Sequence, residues 1–387
     1  MAMLVATMWS GVAKSQLPVR SWVDSVAVYG IENCLLPKKF QWQWHHAVML
    51  NSVVHLYREA APQQRGVYLD YIKECMDRTA DRVHGTSPNV CAPGHGMAFL
   101  YGESGEQKYW DKALKVWYDY LLIPRAYNYG ASHRAETVEL WDDTIYMLGM
   151  YFLEMYRQTG NEHYIRELMT QYYAHKELLM DKASRLWVHG WDADTVRFND
   201  KCSQLGWADK ATGKSQEVWG RGYGWVVMTL ADVLNVLPKS NPMWKEAARE
   251  LAKTTKQLSK WQDPETGMWY QLPVRYGEAG NFLESSCSAM FAYGMTIGLK
   301  HGILKKSVYQ PVVDKVYYGL RRYAMADMGS GHLSPDKVCV GTCIGDKEYY
   351  YNRQTSTGVV FAVGLYIMFG LEYEKLYGIR PSNTPKT

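Results

Sequence analysis

Two adjacent carboxylates open a stretch that reads Trp141-Asp142-Asp143-Thr144, and no further charge follows until Glu154. A helix start favours Asp as a cap or in its first turn, and one carboxylate meets that need. The second, entering an apolar and aromatic surround beside a like charge, is pushed toward its protonated form. A carboxyl group held protonated near neutral pH is a general acid. Asp143 is therefore the candidate acid, with Asp142 beside it; helix capping alone is the competing reading.

A second group runs Trp187-Val188-His189-Gly190-Trp191-Asp192, then Trp207, then Trp219-Gly220-Arg221-Gly222-Tyr223-Gly224-Trp225. Three glycines among Trp, Arg and Tyr are poor helix material, but they let a ligand or another helix come close. Arg221 could grip a carboxylate with two parallel hydrogen bonds. The rings of Trp191, Trp219 and Trp225 could stack on a pyranose. In the competing reading Arg221 pairs with a core Asp and the glycines only relieve crowding. A third group is Trp42-Gln43-Trp44-His45-His46. Neighbouring His residues point apart on a helix and make a poor metal pair, so Trp42 and His45 read as a polar pocket wall. The HExxH, P-loop and GxGxxG patterns are absent. No metal and no organic cofactor is expected.

The whole chain suits such a pocket. It holds 15 Trp and 30 Tyr against 8 Phe, and Trp and Tyr each combine a flat apolar face with a polar handle. A core that happens to use Tyr explains the count equally well. The formal net charge is +4 over 387 residues, with no Lys/Arg runs, which gives no case for nucleic acid. No stretch reaches the roughly 18 apolar residues of a membrane span. The seven cysteines are scattered, and the nearest pair, Cys339 and Cys343, lacks zinc-site spacing. All seven read as packing residues or free thiols. Residues 1–16 read as a signal-peptide remnant or an N-terminal extension, which leans toward a periplasmic or secreted protein, with the cytoplasm as the alternative.

These residues need a scaffold, and helical periodicity supplies it. Helices are expected to start near Ser21, Trp44, Gly66, Pro93, Gln107, Trp141, Glu162, Ser215, Pro242, Leu283, Lys306 and Thr355. Strand-like alternation is best at 267–274. Segments such as VELWDDTIYMLGMYFLEMY and VWGRGYGWVVMTLADVL are apolar nearly all round and must be buried. Their successors, such as PMWKEAARELAKTTKQLSKW, carry one apolar stripe and belong at the surface. YGESGEQKYWDKA and YRQTGNEHYIREL repeat one pattern, with Gly105 and Gly160 lying 55 residues apart, about one hairpin. About twelve helices alternating inner and outer predict an all-α (α/α)6 barrel, with 17–387 as one catalytic domain.

In order, WDDTIYM, HGWD, VWGRGYGWVVMTLADVL, ETGMWYQL, ESSCSAMFAYG and VCVGT resemble glycoside hydrolase family 105 and the related family 88, from about Trp42 to about Leu371. The resemblance implies an (α/α)6 barrel that removes a 4,5-unsaturated uronic acid from lyase-generated oligosaccharides. It places the acid at Asp143 and substrate contacts at His189, Trp219, Arg221 and Trp225. It implies hydration of the double bond without a metal or cofactor. One departure stands out. Where the family has a second Asp, this chain has Asn89, ahead of Pro93-Gly94, and His95 is the candidate substitute. A sugar epimerase or isomerase, or a catalytically altered sugar-binding protein, remains open on the same toroid. The expected partner is an oligosaccharide bearing an unsaturated uronic acid, and the expected state is a monomer or weak homodimer.

Overall fold

The computed structural model describes residues 19–82, 85–196 and 200–380; the proposed signal remnant at 1–16 lies outside them. The segments that are apolar all round become six inner helices among the described residues. These are α2 (Trp44–Glu59), α5 (Gly94–Ser104), α7 (Asp143–Thr159), α9 (Gly220–Val236), α11 (Ser285–Lys300) and α14 (Val360–Leu376). Each packs on the next around a closed ring, and α14 returns to α2. In α9 every residue from Gly220 to Leu234 is buried, as a helix surrounded by helices requires. The outer ring is α3 (Pro62–Thr79), α6 (Gln107–Leu121), α8 (His163–Leu179), α10 (Pro242–Leu258) and α12 (Lys306–Tyr323). Its sixth member is α1 (Trp22–Tyr29), which packs beside α14. Outer helices bury one stripe: α10 buries Ala247, Glu250, Leu251, Thr254, Thr255 and Leu258. The expected (α/α)6 barrel is the observed fold.

The turns follow the expected repeat. Gly105 and Gly160 both take left-handed backbone, φ 69° and 65°, and their N–H groups donate to the Tyr101 and Tyr156 carbonyls. Glycine adopts that conformation without the usual side-chain clash.

All the irregular structure that matters gathers where the inner helices begin. Four two-stranded antiparallel ribbons form there: β1 (Glu139–Trp141) with β2 (Gly190–Asp192), β3 (Trp269–Tyr270) with β4 (Leu283–Glu284), β5 (Met325–Asp327) with β6 (Leu333–Pro335), and β7 (Val338–Cys339) with β8 (Thr355–Ser356). β1 runs into α7 and β4 into α11. Two short helices, α4 (Pro88–Cys91) and α13 (Lys347–Tyr351), lie in the same set of loops. The sequence reading foresaw only the strand near 267–274. Ribbons two or three residues long are too brief for alternation to reveal. The helix expected near Gly66 starts at Pro62, whose fixed φ suits a first helical position. Those expected near Ser215 and Thr355 start at Gly220 and Val360. No helix among the described residues is long and apolar enough to cross a membrane.

The cysteine reading needs correction. Cys202 and Cys343 form a disulfide, while Cys34, Cys75, Cys91, Cys287 and Cys339 are free. The partners are 141 residues apart, so nothing in their spacing could pair them. The bridge ties the loop before α9 to the loop before α13. Gln204 and Asp346 reinforce it: the Asp346 N–H donates to Gln204 Oε1 at 2.7 Å, and Gln204 Nε2 donates to the Asp346 carboxylate at 3.0 Å. A cross-link closing so long a loop restricts the unfolded chain. Cys343→Ser should lower the unfolding free energy by about 2–5 kcal/mol, read from denaturant melts; wild-type protein kept reduced with dithiothreitol should match the variant.

Candidate active site

The β1–β2 ribbon positions the chemistry. Trp141 pairs with Gly190 in register. One step on, the Asp142 N–H donates to the His189 carbonyl at 3.1 Å, and the His189 N–H donates to the Glu217 carbonyl at 3.0 Å. The residue preceding α7 and the residue preceding β2 are thus clamped together. The clamp brings the first residue of α7 to the imidazole, with Asp143 Oδ2 3.2 Å from His189 Nε2.

Asp142 is the unusual group. Its carboxyl is fully buried, no side-chain N–H or hydroxyl donates to either oxygen, and its side-chain neighbour is the Asp143 carboxyl. It lies against Gly222 of α9. A Cβ there would stand 2.4 Å from Oδ1 and 2.7 Å from Oδ2. Gly222 therefore makes room for a carboxyl group. Burial, then the Asp143 charge, push the Asp142 pKa well above the carboxylate range. Burial also acts upward on Asp143, but the hydrogen bond and charge of His189, then His133 and Arg221, outweigh it and leave its pKa lowered. The expectation that Asp143 is the protonated member is thus corrected for the free protein. Asp143 has the His189 imidazole in front of it, whereas Asp142 lies against α9 at Gly222. Burial lowers the His189 pKa, partly offset by Asp143.

Aromatic rings close around this cluster. The Trp219 ring lies 4.3 Å from that of His189. Arg221 is sandwiched between Trp219 (4.6 Å) and Phe361 (4.8 Å). Its guanidinium is 1% exposed and already committed. It donates to the Cys339 carbonyl at 2.7 Å and the Val340 carbonyl at 2.9 Å, and lies 3.7 Å from Glu284. Glu284 in turn caps α11 and accepts from the Cys339 N–H at 2.9 Å. Arg221 thus holds the β7 wall of the site and reaches Asp143 through its charge. The competing sequence reading, an Arg paired inside the core, was close, with Glu284 as the acid. Trp225 is buried one turn further down, stacked on Tyr146 at 5.0 Å and edge-on to Trp44 at 6.2 Å. His45, half-buried, lies beside Trp44.

Asn89, on α4, joins the cluster through a residue that the sequence reading missed. Its Nδ2 lies 3.1 Å from His133 Nε2. His133 stacks on Trp141 at 4.6 Å, and its Nδ1 lies 3.1 Å from Thr144 Oγ1. Burial pushes the His133 pKa down to about 4, so the ring is neutral at ordinary pH. Trp42 fastens its loop to α4 through Nε1 and the Val90 carbonyl, 2.8 Å, next to Asn89.

Two named residues stand elsewhere. His95 is buried, with Nδ1 2.7 Å from the Ala92 carbonyl. The charges it feels are Glu154 and Arg58, about three helical turns from Asp143. Trp191 pairs with Leu140, on the ribbon face opposite Trp141, because neighbours along a strand alternate. It packs with Leu140, Ala126 and Leu178, and its Nε1 donates to the Thr212 carbonyl at 3.1 Å. Tyr350 was also missed; it reaches His189 Nδ1 at 2.8 Å. Its signal was present as the run Tyr349-Tyr350-Tyr351, but nothing in the run says which ring turns inward.

Ligand atoms of Asp142, Asp143 and His189 lie within 4.8 Å of one another, the spacing that could hold a metal ion. The chemistry of the set fits poorly, because a protonated Asp142 is a weak ligand and His189 Nε2 already faces Asp143. A cavity of about 530 Å³ lies at the other end of the barrel. Its cations serve its own carboxylates, as in Arg58–Glu154 at 2.7 Å and Lys300–Glu372 at 3.0 Å. They also sit where the inner helices end and positive charge is favoured.

A helical toroid with a carboxyl pair and tryptophans at its loop-bearing end has the form of a glycoside-cleaving enzyme. The chain belongs to glycosyl hydrolase family 88, whose sequence profile it matches over residues 19–377. It is 25% identical over 264 residues to the unsaturated rhamnogalacturonyl hydrolase YesR of Bacillus subtilis, covering 65% of this chain and 70% of that one. It is 26% identical over 191 residues to the unsaturated 3S-rhamnoglycuronyl hydrolase of Formosa agariphila, 46% of this chain and 45% of that one. A family 105 glycoside hydrolase of C. acetobutylicum superposes with a TM-score of 0.80 at 23% identity, over 91% of this chain and 99% of that one.

Arg221→Lys keeps the charge but cannot hold two carbonyls while lying flat between two rings. Stability should fall by about 1–3 kcal/mol and kcat should fall with it, measured by denaturation and steady-state kinetics. A rise in KM at unchanged stability would instead place the guanidinium on the substrate.

Proposed function

We propose that this glycoside hydrolase removes a 4,5-unsaturated uronic acid from the non-reducing end of lyase-generated oligosaccharides, by hydrating the double bond with Asp143 as general acid. The observation that carries this reading is the split carboxyl pair: Asp142 buried beside Asp143, and Asp143 facing His189. Over a wide pH range such a pair holds one proton, and its titrations belong to the pair rather than to either residue. In the free protein that proton sits on Asp142. A bound uronate brings a negative charge toward Asp143 and excludes water, and both effects favour the proton on Asp143. Asp143 then protonates C4, the cation that develops at C5 takes up water, and the water's lost proton returns to the Asp143 carboxylate. The resulting hemiketal opens and expels the neighbouring sugar. This needs one acid in contact with the substrate, unlike hydrolysis by two flanking carboxylates. Asn89 can orient water through its amide but cannot take a proton. The names of the relatives support an unsaturated uronide as the substrate class. The Cys202–Cys343 bridge supports a protein that folds in an oxidising compartment.

Loss of the ultraviolet absorbance of the double bond reports turnover directly. Asp143→Asn should lower kcat by at least about 10²-fold, the scale of a positioned acid or base, while still binding the oligosaccharide. Near-normal turnover would sink the assignment, and a wild-type protein that binds without turnover would leave a sugar-binding protein.

The pH dependence follows from the pair. The Asp142 pKa is raised, so the shared proton persists above the usual carboxylate range and is lost as pH rises through the Asp142 titration. Asp142→Asn leaves only Asp143, whose pKa is low. The alkaline limb of kcat should then move to lower pH; a profile superimposable on the wild type would exclude Asp142 from the proton inventory.

A further inference from the structure

His189 is the group that keeps Asp143 ionised, and an imidazole can do that in only one of its neutral forms. To donate to Asp143 it must carry its proton on Nε2, leaving a bare lone pair on Nδ1. A buried lone pair needs a donor. The donor in reach is the Tyr350 hydroxyl, 2.8 Å from Nδ1.

The surroundings of the hydroxyl fix the direction of that bond. Tyr350 is fully buried, with its ring in a cluster with Trp219 and Leu272. Burial raises the phenol pKa well above 10, so the hydroxyl keeps its proton. That proton needs an acceptor, and Nδ1 of His189 is the one within reach. The reverse arrangement, with Nδ1–H donating, would leave a buried hydroxyl hydrogen with nowhere to go.

We propose that Tyr350 is a positioning residue: its hydroxyl donates to Nδ1 of His189 and fixes the ring as the neutral tautomer whose Nε2–H faces Asp143. Tyr350 does this from a five-residue helix, α13, that begins four residues after disulfide-bonded Cys343. The charged and titratable groups around His189 are otherwise Asp142, Asp143, His133 and Arg221. None of them meets Nδ1, so this side of the ring depends on Tyr350. The kinetic consequence rests on the hydration reading above, whereas the tautomer does not.

The test uses the full chain labelled with ¹⁵N-histidine, with the His189 signals assigned by their loss in His189→Gln. In the wild type at neutral pH, Nε2 should be protonated and Nδ1 bare. Tyr350→Phe keeps the ring against Trp219 and Leu272 but removes the donor. The variant should show Nδ1 gaining a proton in a measurable fraction of molecules, as the other tautomer or as imidazolium. Its kcat should fall about tenfold while KM stays within about twofold, because Tyr350 does not touch the substrate. A wild-type ring protonated on Nδ1, or variant ring signals that match the wild type's, would overturn the proposal. The wild-type spectrum needs neither the Tyr350→Phe variant nor a substrate. It therefore decides the matter even if Tyr350→Phe fails to fold, and independently of whether the chain hydrates unsaturated uronides.

Discussion

The rest of the site is arranged around a buried carboxyl group whose side-chain neighbour is another carboxyl, Asp143. Burying an unpaired polar group costs free energy, and burying it charged costs far more. Asp142 escapes the larger penalty by staying protonated. That outcome requires several neighbours at once. Gly222 must present bare backbone, Asp143 must take the negative charge, and His189 must stand in front of Asp143 to stabilise it. Remove any of these and the proton inventory of the pair changes. The glycine-rich start of α9, the order of the two aspartates and the β1–β2 ribbon are parts of one arrangement.

The ribbon and the wall opposite it are held by different devices. On one side, backbone hydrogen bonds clamp Asp142 to His189 and His189 to Glu217. Glu217 is itself gripped by Arg275 through bonds of 2.6 and 2.7 Å. On the other side, Arg221 and Glu284 hold the β7 backbone between them. Charged side chains thus serve here mainly to pin loops. Short ribbons cannot stabilise themselves, so the loop end of the barrel is assembled from side chain–backbone bonds reaching across elements.

This explains which features could be read from the sequence. The barrel was legible because its cause is periodic: helices apolar on every side differ visibly from helices with one stripe. Asp143 and His189 were legible because they interrupt apolar or aromatic runs. His133 was not, because Ser132-His133-Arg134 sits in a polar loop where a histidine excites no suspicion. Arg221 was found but given the wrong partner, since only three-dimensional packing shows that the Cys339 and Val340 carbonyls fill its fork. The resting place of the proton shared by Asp142 and Asp143 was misjudged for the same reason. The sequence shows two adjacent carboxylates, but which of them meets an imidazole depends on the direction each leaves the helix start. Trp191 and Gly190 are neighbours in the chain and face opposite sides of a strand, a distinction that spacing hints at only when the strand itself is recognised.

The ring is closed by its ends. α1 is the outer partner of α14, so the first described helix packs beside the last, and Arg380 pairs with Asp24 across the seam. During synthesis each inner–outer hairpin can form as it emerges, but the first helix must wait for the last before its apolar face is covered. Closure is then a contact of very high sequence separation, the kind that slows folding most. Once closed, however, the seam differs from the other five junctions only in lacking a peptide link. A chain whose termini were joined there and reopened at the Gly105 or Gly160 turn, far from the loops that carry Asp143, would preserve every helix pair.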